Sequence, residues 1–248
     1  MTFAIVLGVS LLICWLFRNF IKDNPIVCYG IAIALDTLYL YGYFFGLPRG
    51  MWLVLSILIQ KCMLALALFT IVMYIGVLPR KVKSSTSLLA IRSNMSIMAC
   101  YLALAHMGVY LGTYVTSVFS GAAVKSNVLA SFIVALAVFV LLLVLGVTSF
   151  RFVKHRMSGA AWKNVQKLAY PFFSLTFVHL AIVLAPAAAH GGAAAQTTIG
   201  VYSVVFGVYA VLRVYRVWVD GREAKGRDVV GAAGEHGMGD ELASAIEQ

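Results

Sequence analysis

Long apolar runs, separated by short polar or basic breaks, follow one another from the start of the chain to about residue 219. They are too long and too continuous for strands, and several reach the roughly 20 residues that a helix needs to cross a bilayer. Seven spans are predicted, at about Thr2–Phe17, Pro25–Leu47, Met51–Leu78, Ile91–Phe119, Val128–Phe150, Val165–Ala185 and Thr198–Val219. The first is short for a crossing, so the count is six if it does not cross. Gln60-Lys61 lies inside the third span, and Pro79 ends it. The fold class expected is therefore an all-α polytopic transmembrane bundle, in which every backbone polar group is satisfied within its own helix.

Composition agrees: 62% of the residues are hydrophobic, 11% are charged, and the mean hydropathy is +0.94. A soluble domain carries about a quarter charged residues. One bundle is expected over residues 1–219, with a Gly-, Ala- and acid-rich tail at 220–248 expected to be mobile. The apolar N-terminus lacks a basic leader and a small-residue cleavage site, so it is read as a retained helix.

The net charge of +10 does not imply nucleic acid. Seven of the nine acidic residues lie from Asp220 onward, and the Lys and Arg residues sit in short loops beside apolar spans. There they set orientation and meet anionic lipid heads. Loops after spans 1, 3 and 5, and the end of span 7, are basic; those after spans 2, 4 and 6 hold Arg49, Lys125 and no Lys or Arg. That alternation predicts a multi-pass protein of the cell membrane with its N-terminus outside and its C-terminus in the cytoplasm. Cys14, Cys28, Cys62 and Cys100 form no C-x-x-C pair and read as buried thiols.

Two histidines carry the chemistry. His106 lies 14 residues after Arg92 and His179 lies 12 after Lys167, or roughly 21 Å and 18 Å of helix from the same predicted face. They reach similar depths in the outer half of the bilayer. A haem b needs one neutral imidazole on each side of its ring, so one mid-span histidine on each of two helices meets the minimum. Ala99, Leu102, Ala103, Tyr110 and Thr113 share the face of His106; Phe172, Leu175, Thr176, Ile182 and Val183 share that of His179. Thr176 could order a hydroxyl near the imidazole. The plainer reading is that each histidine bonds a neighbouring helix.

Val147-Thr148-Ser149-Phe150, then Trp162, then Val165-Gln166-Lys167-Leu168-Ala169-Tyr170 and His179 resemble the ferric-reductase-like transmembrane family. Within it the chain looks closest to the haem-binding membrane subunit of the bacterial methionine sulfoxide reductase system, the MsrQ (YedZ) group. Pro79-Arg80, followed by Arg92 and His106, resembles that group's loop and next helix, and the resemblance covers about residues 50–219. It implies a membrane electron-transfer subunit with haem b, His106 and His179 as iron ligands, and an extracytoplasmic oxidoreductase as acceptor. Where the group has histidine, this chain has Gln166. A second haem on the cytoplasmic side would also need histidine at Arg92 or Ser93, so one haem is expected.

No Gly-rich dinucleotide fingerprint follows a strand, so electrons are expected from quinol or a separate flavoprotein, with quinone and FMN as further candidate cofactors. Asp36 and Lys61 are the other intramembrane charges; they are expected to pair, or else to line a proton or quinone path. His155, His190 and His236 are read as loop or tail residues, with His190 at the rim of the outer face. The competing reading is a cofactor-free transporter or assembly protein, against which the lack of internal repeats and matching broken helices counts. A quinol-oxidising cytochrome b subunit of a larger complex is a third.

Overall fold

In the computed structural model the described backbone covers residues 2–78, 83–120 and 126–246, and the described side chains are those of these residues except 83–86, 118 and 223–246. Pro79-Arg80, Lys125 and the His236 side chain lie outside the described residues. Among the described residues eleven α-helices follow in order: α1 (Thr2–Leu16), α2 (Arg18–Asp23), α3 (Pro25–Phe45), α4 (Arg49–Leu55), α5 (Met63–Ile75), α6 (Lys83–Phe119), α7 (Ser126–Ser149), α8 (Arg151–Arg156), α9 (Gly159–Gln166), α10 (Ala169–Ala189) and α11 (Ala193–Ile246). No strand occurs among the described residues, and the all-α polytopic architecture holds.

Five stretches among the described residues are long and apolar enough to cross a membrane: Pro25–Phe45, Ser87–Ser117, Ser126–Ser149, Gly159–Ala189 and Ala193–Arg222. A sixth is broken: Arg49–Gln60 and Met63–Ile75 meet at 41°. α1 has 15 residues, roughly 22 Å, short of the ~30 Å hydrocarbon layer. Among the described residues the count is therefore five or six, in line with the six expected if the first span does not cross.

The third span is not the continuous helix its hydropathy predicts. Ser56–Gln60 form a π turn, in which Lys61 N donates to Ser56 O at 3.0 Å. Cys62 then takes the left-handed conformation (φ 54°) and donates its N–H to Ile59 O at 2.8 Å before α5 begins. A π turn in an α-helix commonly marks a functional position.

Below this break α5 is the centre of the bundle: 11 of its 13 residues are buried. It packs mainly against α6 and α1, while α6 also takes α3 and α7, and α7 takes α10. Lipid is as apolar as leucine, so burial alone does not drive this packing; close backbone approach through small residues does. Ala65, Ala67, Ala99, Ala103 and Ala105 supply it on α5 and α6, each no more than 5% exposed. Ile26, Phe44, Phe45 and Val140 point outward, as a hydrocarbon surround permits.

The chain divides into two compact units, Met1–Phe206 and Gly207–Gln248. In the second, Arg216 pairs with Asp220 one turn on (3.1 Å) and Arg222 lies over the Trp218 ring. In the first, α10 ends in a left-handed cap: Gly191 has φ 82°, Gly192 N donates to Ala187 O and Gly191 N to Ala188 O. A Cβ on Gly192 would stand 2.7 Å from the Ala187 carbonyl oxygen. Gly192→Ala should therefore destabilise by about 1–2 kcal/mol, seen as a lower midpoint of thermal unfolding in detergent, whereas Gly200→Ala, with open space around it, should leave the midpoint unchanged.

Candidate functional site

The two intramembrane histidines lie on α6 and α10, the helices that pack on α7. Both are half-buried, and their imidazoles are within electrostatic reach of one another. His106 Nδ1 stands 2.6 Å from Gln60 O, the carbonyl at the end of the π turn. A carbonyl only accepts, so Nδ1 carries the proton and donates it. His179 Nδ1 is likewise 3.2 Å from Ser131 O and 3.2 Å from Ser131 Oγ on α7, and donating to that carbonyl again puts the proton on Nδ1. Both rings are then the tautomer with a free lone pair on Nε2, the nitrogen that a metal takes when the other is held by a carbonyl.

The surroundings of His106 are those its helix face predicts. Ala99, Leu102 and Ala103 are buried, and the Tyr110 ring lies 4.8 Å from the imidazole, centroid to centroid. Thr113 is exposed and bonds back to Val109 O, so it drops out of the site. Around His179, Phe172 is buried and packs edge-on against Phe69 of α5, while Val183 is exposed. Thr176 does not serve the imidazole: its hydroxyl donates to Phe172 O one turn back. Ser131 takes that place. Neither Ser131 nor Gln60 was expected as a partner; the signals were a serine in an apolar run and a polar pair inside the third span.

At the far end of α7 the motif residues converge. Trp162 Nε1 donates to Thr148 O at 3.2 Å, Gln166 Nε2 to Thr148 Oγ1 at 3.3 Å, and Ser93 Oγ to Ser149 O at 3.1 Å. Lys154 lies over the Trp162 ring. Gln166 is thus engaged in joining α9 to α7. The expected pair of Asp36 with Lys61 does not form. Asp36 is buried with Oδ1 unpartnered, while Lys61 is exposed beyond the π turn. His155 and His190 are exposed; His190 caps α10 through its backbone N–H.

Residues 61–177 match the family described as "Ferric reductase like transmembrane component". Over this stretch, a little under half of the chain, it is similar to the ferric-reductase-like transmembrane family. The ferric-reductase-like stretch begins at the helix break, contains His106 and the Thr148–Trp162–Gln166 junction, and stops two residues before His179. An uncharacterized protein of Treponema pallidum (strain Nichols) is 30% identical over 212 residues, which is 84% of this chain and 58% of that protein. The chain thus spans less than two thirds of that relative's length. No solved structure matches.

Proposed function

We propose that the chain is a membrane electron-transfer subunit that holds one haem b between His106 and His179. The observation that carries this reading is that two imidazoles on separate helices are each held at Nδ1 by a backbone carbonyl, each leaving Nε2 free. Among the described residues no group of three or more His, Cys, Asp or Glu converges. Two imidazoles are too few for a bare ion such as zinc, but they are what a metal needs when a ring brings four ligands of its own. When bound, the haem would supply a one-electron carrier. The chain's own residues orient the two ligands, exclude water with Leu102 and Phe172, and supply neutral surroundings.

Electrons would come from quinol or a separate flavin reductase and pass to an extracytoplasmic oxidoreductase or acceptor. The basic breaks between spans favour an outer N-terminus and a cytoplasmic C-terminus. Likeness to the haem-binding subunit of methionine sulfoxide reductase systems rests on the Thr148–Trp162–Gln166 motif, and Gln166 in place of histidine leaves the acceptor open to other oxidants such as ferric iron.

Purified protein should show a reduced-minus-oxidised haem b spectrum with about one haem per chain. That single site follows from the minimal pair of ligands. A well-folded, colourless preparation that takes up no haem on reconstitution would sink the proposal and favour the cofactor-free reading.

A further inference from the structure

The connection between α7 and α10 is built unlike the rest of the bundle. α8 and α9 are six and eight residues long, and neither has a buried residue. Helices that short are marginal in water on their own, and no core face secures these two. They rest against the end of α7, where Trp162 Nε1 and Gln166 Nε2 bond to Thr148. Arg151, Lys154, Arg156, Lys163 and Lys167 are all exposed. From position 37 to 219 the sequence holds no Asp or Glu, and among the described residues none of these five cations meets a carboxylate. The partners they do have are neutral. Arg156 lies 3.9 Å from the centroid of the Phe152 ring and Lys154 4.4 Å from that of Trp162, while Lys167 Nζ donates to Asn164 Oδ1 at 2.8 Å.

The place of this elbow argues for what covers it. α7 has 24 residues, roughly 36 Å, enough to cross the ~30 Å hydrocarbon layer, and α10 begins again soon after α9 ends. Both ends of the elbow are thus tied to the boundary between acyl chains and headgroups. Phe152 is 65% exposed and lies among the cations, not apart from them. On a short helix at that boundary, such a mixture is how a chain rests in the headgroup layer. Rings and alkyl stems reach towards the acyl chains, and the charged ends stay with the phosphates. A soluble acidic protein would match the charge, but it would not explain two coreless helices with an outward phenylalanine at this level. We propose that the α8–α9 elbow is a docking surface for anionic phospholipid headgroups. Their phosphates take up the charge of Arg151, Lys154, Arg156 and Lys163, and so hold both helices, and with them the Thr148 junction, in place. This does not depend on the haem reading.

Each cation at an anionic membrane surface is worth about a fivefold gain in binding, and salt screens that gain. The test is hydrogen–deuterium exchange, resolved by peptide, of the full chain in phosphatidylcholine nanodiscs with and without phosphatidylglycerol. Phosphatidylglycerol should slow exchange across residues 150–168 by about tenfold, and high salt should undo the slowing. α7 and α10 should exchange alike in both lipids. The triple variant Arg151→Gln, Lys154→Gln, Arg156→Gln should lose the dependence on phosphatidylglycerol, while Arg18→Gln with Lys22→Gln should keep it. Wild-type exchange that ignores phosphatidylglycerol would overturn the proposal, whether or not the variant folds. A slowing that survives in a folded triple variant would overturn it as well, and so would one shared equally by α7 and α10, which is general stabilisation. A soluble polyglutamate peptide added to phosphatidylcholine nanodiscs is the last arm. Slowing with that peptide and none with the anionic lipid would overturn the proposal in favour of an acidic protein partner.

Discussion

Replacing His106 or His179 with alanine should abolish haem retention, taking the content from about one per chain to near none. In the proposed site each imidazole would hold the iron from its own helix, so either substitution would leave the group held from one helix alone. The remaining contacts are apolar and non-directional, and they do not substitute for a metal–nitrogen bond. The two sides should differ in how much their supports matter. His106 is held by a 2.6 Å bond to a backbone carbonyl, whereas His179 has a carbonyl and a hydroxyl, both of Ser131, at 3.2 Å. Removing the partner of a metal-bound histidine typically weakens metal affinity 10–100-fold. Ser131→Ala keeps the carbonyl and loses only the hydroxyl, so its loss of haem affinity should fall at the lower end of that range. His155→Ala and His190→Ala, both at exposed positions, should bind haem as the wild type does. Haem content is measured per chain after size-exclusion chromatography, with folding checked by circular dichroism. Full haem in a folded His179→Ala protein would exclude the ligand pair.

The spans were legible because the bilayer imposes a simple rule. α3, α7 and α10 are apolar runs of about the needed length, and their ends carry the expected Pro, Gly or basic residues. The histidines stood out for the same reason, since an imidazole in such a run is costly unless it finds a partner. What was not legible depended on local backbone choice. A π turn adds one residue to a helical turn without changing composition, so the third span looked continuous. Only Gln60-Lys61 in an apolar run hinted at it. The turn lets Lys61 reach outward, as long basic side chains do, and this undoes the pairing with Asp36 that opposite charges suggested. Thr176 and Ser131 were equally plausible partners by type. The choice is made by Thr176 bonding its own helix at Phe172 O, a habit of hydroxyls inside helices. Gln166 was read as a departure from the resembled group. Its bond to Thr148 shows the position given over to holding α9 on α7.

Cys62 is where the break can be tested from both directions. Its φ of 54° suits glycine and costs other residues about 1–2 kcal/mol. Its N–H donates to Ile59 O, and its carbonyl accepts from Leu66 N to open α5. Cys62→Pro should therefore be among the most damaging single changes in the chain. Proline fixes φ near −65° and has no N–H, so both the left-handed turn and the bond to Ile59 go, at about 3 kcal/mol or more. The Gln60 carbonyl would then no longer be presented to His106. Cys62→Gly relieves the backbone and loses a small side chain, so its stability should stay within about 1 kcal/mol of the wild type. Cys62→Val, β-branched in a conformation such residues avoid, should fall between the two. Thermal unfolding in detergent gives the order. Nitrogen-15 NMR of histidine-labelled, haem-free protein gives the consequence, because it reports which ring nitrogen of His106 carries the proton. Protonated Nδ1 in the wild type and in the glycine variant, lost in the proline variant, is the expected pattern. A His106 that keeps the same tautomer after the break is destroyed would mean that the Gln60 carbonyl does not set it. The π turn would then be a packing feature of the bundle, independent of the histidine beside it.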